Sequence, residues 1–386
     1  MLGKSQDETL KMSQEVTPRE VIKANGRIGL ANLGNTCFLN SALQLMRNIT
    51  PLRVYFQNTE WIYRVRPDNK YAGMLNAIAE FINAIWRPDL SINTKIAPGR
   101  FYQTLTEVAA KVGYDDLAVK HRQADAGEAL LFMLDCLHEG LAHPVEMVVT
   151  GIASAPEERR WTKSYEQWIQ HYKKQWSVVI KTLHGQKMTA TTCKTCQYHS
   201  ERFESWGSLS LPIVNGDKPG SPAPTLLECL QDYFKEEILE DYHCDVCGKK
   251  REAVQTNRLS ILPKYIVFSI MRYTNRGNKI RAKIDFDLNA VDLDTWFIGN
   301  RETTGTKYRC AAVIDHHGVM GGGHYVSSCR YEDDSWIRYD DESVNQMPME
   351  HVNNGDTYVI LLEQVSASAA VQAGGPKPDM DILSHK

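Results

Sequence analysis

The chain has 386 residues, 42% of them hydrophobic and 24% charged, with a formal net charge of −3. The length allows one large domain or two ordinary ones, and the near-neutral charge predicts neither nucleic-acid nor anionic-membrane binding. No apolar run approaches the roughly 18–20 residues of a membrane span, and the polar start lacks a signal-peptide core, so we expect an intracellular protein.

Residues 1–25 are polar and lack an apolar stripe, which predicts a mobile arm. The next segment, GLANLGNTCFLNSALQL at residues 29–45, has apolar residues at helical spacing after Cys37 and a capping-type Thr36 before it, so a helix should begin at or beside Cys37. Backbone N–H groups and the dipole at that end favour a thiolate. Taken alone, Cys37 fits a nucleophile and a buried packing residue equally well.

The neighbours of Cys37 favour catalysis. Gly34 permits a tight turn, and Asn32 can aim its carboxamide at an oxyanion beside the backbone N–H of Cys37. This stretch resembles the cysteine box of the ubiquitin-specific proteases, which are papain-like cysteine hydrolases that remove ubiquitin. The resemblance implies that Cys37 is the nucleophile and that Asn32 stabilises the oxyanion.

The stretch RQADAGEALLFMLDCLHEG places Glu128 three residues after Asp125 at the start of an apolar helix, as in a capping box. Capping alone accounts for both acids. The stretch also resembles the glutamine–aspartate box of the same family, in which the acid at the Asp125 position binds an arginine of ubiquitin's C-terminal tail through a charge-assisted pair. We therefore expect Asp125 to contact ubiquitin, with or without a capping role, and Glu128 only to cap.

Nine cysteines, an odd number, argue against a disulfide framework. Four of them form two C-x-x-C pairs, and two such knuckles can surround one tetrahedral zinc ion with no open position, so we predict a single structural Zn²⁺. The predicted ligands are Cys193, Cys196, Cys244 and Cys247. The remaining cysteines after Cys37 should be buried, namely Cys136, Cys229, Cys310 and Cys329. In the family that the chain resembles, the zinc knuckles belong to the fingers, which hold the globular body of ubiquitin.

From residue 259 onward, short β-rich runs alternate with turns. A helical first half and a stranded last part predict an α+β fold in which an antiparallel sheet faces a helical lobe. The final stretch, residues 366–386, is small, polar and rich in Pro and Gly, which predicts a disordered tail.

The second half of the candidate site lies in HHGVMGGGHYVSSCRYEDDSWIRYDDESV. His324 follows three glycines at the head of one strand and Asp340 ends the next, so the two can meet at one sheet edge. The stretch resembles the histidine box of the same family, which makes His324 the general base and acid and Asp340 the residue that orients it. Asp341 is the second candidate for a catalytic role, since in the family the second acid of such a pair can also polarise the oxyanion region.

The same comparison places His316 and His317 in a loop before the glycines, with His317 and Tyr325 as contacts for the ubiquitin tail. The resemblance spans about residues 27–364, and Ala124 and Tyr273 are its small departures. It implies a papain-like domain at 26–365 with a helical thumb (about 26–185), zinc-clipped β fingers (about 186–265) and an antiparallel β palm (about 266–365).

The implied activity is hydrolysis of the bond after ubiquitin's C-terminal glycine through a Cys37 acyl-enzyme. Two alternatives stay open: a catalytically silent ubiquitin-binding protein, and an isopeptidase for another ubiquitin-like modifier. The expected partners are ubiquitin and ubiquitinated proteins, without nucleic acid or membrane. We expect a monomer in the cytoplasm, the nucleus or both.

Overall fold

The computed structural model describes residues 25–65, 68–92, 94–215, 222–365 and 379–383. The predicted N-terminal arm lies outside the described residues, apart from Asn25. Within the described ranges, every helix is too short or too polar to cross a bilayer.

Most helices form one lobe in the first half of the chain. The helices are α1 (Cys37–Met46), α2 (Thr50–Gln57), α3 (Ala72–Ile85), α4 (Gly99–Val112), α5 (Asp115–Ala118), α6 (Ala126–Leu141), α7 (Pro156–Tyr172), α8 (Val178–Leu183) and α9 (Leu226–Tyr233). As predicted, α1 begins at Cys37, and all ten of its residues are buried. A helix that is buried all round needs cover on each side, and α1 packs against α6 and against the main sheet.

Most of the strands lie in the second half of the chain. They are β1 (Gly29–Leu30), β2 (Lys95–Ile96), β3 (Glu146–Thr150), β4 (Gly185–Cys193), β5 (His199–Trp206), β6 (Leu209–Pro212), β7 (Glu237–Cys244), β8 (Lys249–Ile261), β9 (Tyr265–Met271), β10 (Val291–Asp292), β11 (Lys307–Val319), β12 (Gly322–Arg330), β13 (Trp336–Asp340), β14 (Ser343–Met347), β15 (Thr357–Gln364) and β16 (Asp379–Leu383). The eight-stranded main sheet has the order β14-β13-β12-β11-β15-β9-β6, with β10 paired to β11. Its pairs are antiparallel except β6 with β9. Helices packed on a mainly antiparallel sheet confirm the predicted α+β class.

Both faces of the main sheet are covered. On β11, Ala312 and Ile314 belong to the core shared with the helical lobe, whereas Val313 belongs to a second core on the opposite face. Successive side chains of a strand point to opposite faces. The near-continuous apolar run of β11 is therefore explained by burial on both sides.

A second sheet, with the order β5-β4-β8-β7, forms a long antiparallel ribbon. β4 ends at Cys193 and β7 ends at Cys244, and each is followed by a turn that carries the second cysteine of its pair. The strand ends therefore bring the two C-x-x-C knuckles to one tip of the ribbon.

Part of the C-terminal tail differs from the expectation of disorder. Residues 379–383 form β16, which pairs antiparallel with β3, placing Asp379 opposite Thr150. An edge strand has backbone donors and acceptors that a passing segment can satisfy. Residues 366–378 and 384–386 lie outside the described residues.

Candidate active site

Cys37 is the first residue of α1 and is only 3% exposed. The preceding loop is folded by Asn32, whose Oδ1 accepts hydrogen bonds from the backbone N–H groups of Gly34 (3.0 Å) and Thr36 (3.2 Å). Burial raises the pKa of the Cys37 thiol, although backbone N–H groups of Tyr325 and Phe38 act in the opposite direction. In this arrangement Cys37 is a protonated thiol at neutral pH.

The candidate base lies on the neighbouring sheet. His324 is near the start of β12 and Asp340 ends β13, and the His324 Nε2 atom is 2.7 Å from Asp340 Oδ1. This contact leaves His324 Nδ1 as the nitrogen available for a proton from the nucleophile. Among the described residues, the sulfur of Cys37 has a side-chain hydrogen bond to Gln123 and none to the His324 ring. In free enzymes, the hydrogen bond between a nucleophile and its base often forms only when substrate binds.

Asp341 joins the cysteine loop to the turn between β13 and β14. Its φ of +49° is the left-handed conformation that non-glycine residues seldom adopt, and its backbone carbonyl accepts from the N–H of Leu30 at 2.9 Å. Its carboxylate accepts from the Nδ2 atoms of Asn32 (2.8 Å) and Asn40 (2.7 Å). The Asn32 amide that we predicted to face an oxyanion is therefore oriented by Asp341.

Sequence reasoning missed two polar residues of this site. Asn40 is buried one turn after Cys37 and binds Asp341. Gln123 lies between the two halves, because its Nε2 is 3.8 Å from the Cys37 sulfur and also donates to the carbonyl of Gly323, whose N–H donates to Gln123 Oε1 at 3.1 Å. The sequence feature that could have identified Asn40 is a polar residue inside an apolar helix. For Gln123 it is a side-chain amide two residues before Asp125.

Asp125 caps α6 as predicted, since its Oδ1 accepts from the backbone N–H of Glu128 at 3.0 Å. The other oxygen accepts from the hydroxyls of Tyr358 (2.6 Å) and Tyr325 (3.3 Å). Glu128 contributes its backbone N–H to this cap, but among the described residues its carboxylate accepts no hydrogen bond from the Asp125 backbone, so the predicted capping box is only half formed. Burial raises the pKa of the Glu128 carboxyl, and the charges of Asp125 and Asp116 raise it further.

These acids line a cleft of about 320 Å³. It contains Asp116, Asp125 and Glu128 on one side and Tyr273, His316, Tyr325 and residues 320–322 on the other. Arg122 is the positively charged residue among those that line the cleft, and its guanidinium lies 3.5 Å from Asp116. The cleft thus has a local excess of negative charge beside the Cys37–Gln123–Gly323 contact.

The expected loop at His316 and His317 is instead part of β11, because both residues pair in register with β12. His316 is 4% exposed, lies over the Tyr325 ring at 4.4 Å and contacts the Tyr273 hydroxyl at 2.8 Å. Its burial lowers its pKa to about 4. His317 lies opposite His324, with Nδ1 3.0 Å from Asp356 and Nε2 3.2 Å from Arg338. Cross-strand hydrogen bonding therefore extends the β hairpin through both histidines.

The four predicted metal ligands lie together at the tip of the ribbon. Their sulfurs are all within 4.8 Å of one another, with Cys196 3.5 Å from Cys244 and Cys193 4.0 Å from Cys247. Sulfurs placed tetrahedrally at about 2.3 Å from zinc are roughly 3.8 Å apart, so the group fits a zinc ion. The cluster can therefore hold a metal ion.

Comparison with known proteins identifies the family. The family model for ubiquitin carboxyl-terminal hydrolase matches residues 28–362. The chain is 30% identical to ubiquitin carboxyl-terminal hydrolase 2 of Homo sapiens over 89% of the chain and 56% of that protein. It is 31% identical to the protein of the same name from Gallus gallus, over 92% of the chain and 98% of that protein. The chain thus spans about half the length of the mammalian relative.

Among solved structures, the fold is similar to one in a SAGA DUB module of Ubp8, Sgf11, Sus1 and Sgf73 bound to monoubiquitin. The TM-score is 0.67 at 19% identity, covering 91% of this chain and 72% of that one. The corresponding module bound to ubiquitin aldehyde gives a TM-score of 0.67 over 89% of the chain and 71% of that one. At this identity the likeness establishes the fold.

Proposed function

The chain belongs to the ubiquitin carboxyl-terminal hydrolase family, and from this premise we propose that it is a cysteine protease that cleaves the bond after ubiquitin's C-terminal glycine. The observation that carries the proposal is the packing of α1, which begins at Cys37, against β12 and β13, which carry the hydrogen-bonded pair of His324 and Asp340. Nucleophile, base and orienting acid are the three parts that acyl transfer by a thiol needs.

In the proposed reaction, His324 takes the Cys37 proton and the thiolate attacks the carbonyl carbon of the terminal glycine. Asp340 holds the ring through Nε2, so Nδ1 is the atom that receives the proton. The C–N bond breaks, the amine leaves with that proton, and a thioester remains. Water, deprotonated by His324, then attacks the thioester and releases the ubiquitin carboxylate and the free thiol.

The developing oxyanion needs preorganised donors. The backbone N–H of Cys37 is one, and the Asn32 carboxamide is the second that we propose. Asp341 supports this role indirectly. Its carboxylate accepts hydrogen bonds from both Asn32 and Asn40 and so holds the loop against α1. A small movement of the Asn32 amide away from Asp341 would let it donate to the oxyanion.

Ubiquitin recognition is assigned to the acidic cleft. Asp116, Asp125 and Glu128 provide the negative charge that an arginine-containing tail would meet, and we propose that Asp125 pairs with an arginine of that tail. Tyr325 and His316 belong to the wall that would face the tail, whereas His317, the residue predicted for this contact, is not part of the cleft lining and contacts Asp356 and Arg338. Gln123 and Gly323 meet across the route to Cys37, so the tail must displace or replace their hydrogen bonds.

We further propose that the chain works as a thumb (about 26–185), fingers (about 186–265) and palm (about 266–365). One structural Zn²⁺, held by Cys193, Cys196, Cys244 and Cys247, would tie the tip of the fingers together and take no part in the reaction. The proposed partners are ubiquitin and its conjugates. Free thiols suit a monomer in the reducing cytoplasm or nucleus.

The test uses ubiquitin carrying a C-terminal electrophile. The wild-type protein should form a covalent adduct, Cys37→Ala should form none, and His324→Ala should react far more slowly because the thiolate is no longer generated. Adducts are measured by intact mass, and ubiquitin binding by titration of Cys37→Ala. Binding without an adduct in the wild type would identify a silent binding protein. Reaction only with another modifier's electrophile would reassign the substrate.

A further inference from the structure

A second cavity lies away from the acidic cleft, between the C-terminal end of α1, α2 and the turn that joins β12 to β13. Its volume is about 600 Å³, within the range of small-ligand sites. The arginines that line it are Arg27, Arg47, Arg53, Arg309 and Arg330, together with the rings of Trp86 and Tyr331. This arginine cavity differs from the acidic cleft in the sign of the charge on its lining and in its position.

Charge is unevenly distributed with depth in the arginine cavity. Arg47 is 1% exposed, and the side chains of Arg330 and Arg53 are 6% and 18% exposed. The carboxylates on the lining are mostly at the rim, since Glu332 and Asp333 have side chains that are 90% and 63% exposed. Ion pairs with such exposed groups are weak. The cavity therefore has a cationic floor beneath a solvated acidic rim.

Two of the arginines that line the cavity, Arg309 and Arg330, pair with carboxylates other than the exposed ones at the rim. Arg309 lies 3.1 Å from Glu363, whose side chain is 22% exposed, and 3.5 Å from Asp334. Arg330 also contacts Asp334, at 3.2 Å. These pairs offset part of the floor's charge and leave Arg47 as its deepest cation.

Arg47 is bound only by neutral groups. Its guanidinium donates to the carbonyl of Gly26 and to the hydroxyls of Tyr331 (2.8 Å) and Tyr339, and its Nε is buried without an acceptor. Within the part of the chain that the structure describes, no carboxylate lies within 4 Å of Arg47. A buried charge without a counter-charge is strongly unfavourable. An anion in the cavity would supply that counter-charge.

We propose that the arginine cavity binds a small phosphate-bearing anion of the diphosphate or triphosphate type. Guanidinium groups match phosphate oxygens in paired hydrogen bonds, and several of them converging on one space favour a ligand with more than one negative charge. The inference does not depend on the proposed protease activity. Because Arg47 directly follows α1 and contacts Tyr339 beside Asp340, an occupied cavity would also stabilise the junction of helix and sheet.

The experiment is titration of the full chain with inorganic triphosphate at constant ionic strength, followed by calorimetry and thermal unfolding. The wild type should bind saturably and unfold several degrees higher. Arg53→Gln and Arg27→Gln should each weaken binding at least about tenfold, since each removes a charge-assisted contact. Arg100→Gln is the matched control, because Arg100 has an 83% exposed side chain paired with Glu80 outside the cavity.

Circular dichroism of each variant checks folding before titration. An ATP arm separates the sources of phosphate: equal affinity for ATP and triphosphate assigns recognition to the phosphates, and tighter ATP binding adds a contact with the rings. The proposal is overturned if the wild type shows no saturable binding of triphosphate. It is also overturned if the Arg53 and Arg27 variants bind as tightly as the Arg100 variant.

Discussion

The four-cysteine cluster and the candidate active site both use thiols, but they are assembled in opposite ways. Each half of the cluster is one turn in which two cysteines are three residues apart, and one ribbon brings the two turns together. The candidate active site instead combines Cys37, from the first helix, with His324 and Asp340, from strands near the other end of the chain. The cluster can form from two local turns, whereas the candidate active site exists only once α1 has packed on the main sheet.

The thiols themselves differ accordingly. The four cysteine sulfurs of the cluster share one small space, in which their protonation is coupled and a metal ion would bind them as thiolates. Burial raises the pKa of Cys37, and the charge of Asp341 adds to the effect. The role proposed for His324 is to take the proton of this thiol.

The largest effect should come from the orienting acid. Asp340→Asn removes the carboxylate that holds His324 Nε2, and we expect kcat to fall by roughly 10² to 10⁴ with little change in the unfolding temperature. Asp341→Asn is the matched variant on the neighbouring residue and should lose less. Hydrolysis of a fluorogenic ubiquitin substrate measures both. A larger loss for Asp341→Asn would exchange the roles of the two acids.

Loss of the cluster should lower the stability of the protein and leave its kcat nearly unchanged, which is the opposite of the effect expected for Asp340→Asn. Cys244→Ser should reduce zinc content from one ion per chain to near zero and cost several kcal/mol of unfolding free energy. The kcat of the protein that stays folded at low temperature should change less than about tenfold, because none of the described residues that line the acidic cleft belongs to the cluster. Metal analysis, chemical denaturation and kinetics test this. An unchanged unfolding free energy would mean that zinc does not hold the ribbon.

Asp125 belongs to both a helix cap and the acidic cleft, so two substitutions can separate its roles. Asparagine is as good a cap as aspartate. Asp125→Asn should therefore keep the cap, with the Tyr358 and Tyr325 hydroxyls turned to accept from the new amide, but raise KM about tenfold through loss of a charged pair with the substrate. Asp125→Ala should raise KM similarly and also lower the unfolding free energy, by about 1 kcal/mol for the lost cap and by a further amount for the two tyrosine hydroxyls left without their acceptor. Equal KM values for Asp125→Asn and the wild type would remove Asp125 from ubiquitin binding.

The smallest effect concerns the resting thiol. Because the pKa of Cys37 is raised, its alkylation by iodoacetamide should be slow at pH 7 and should still be increasing at pH 9, where an ordinary thiol approaches its plateau. Asp341→Asn removes a negative charge that opposes the thiolate. Its alkylation at pH 8 should be about two to five times faster. Mass spectrometry of the Cys37 peptide follows the reaction, and a plateau below pH 8 would contradict the resting state described here.

Local patterns were sufficient where a structure is encoded within a few residues. The helix that begins at Cys37, the cap at Asp125 and the meeting of four cysteines at one tip follow from spacing and residue type. His316 and His317 did not, because their glycine-rich neighbourhood suggests a loop, whereas pairing with β12 extends β11 through both residues. Register is set by the partner strand, which no local pattern contains.

The sequence by itself determined the family resemblance, the α+β class and the thiol, imidazole and carboxylate groups available for chemistry. Only the tertiary structure decided that Asp341 holds Asn32 and Asn40, that Gln123 lies between Cys37 and Gly323, and that arginines from distant segments line one cavity. The physical reason is that these contacts join groups far apart in the chain. Their geometry depends on how α1 docks on the main sheet, which is a property of the packed core.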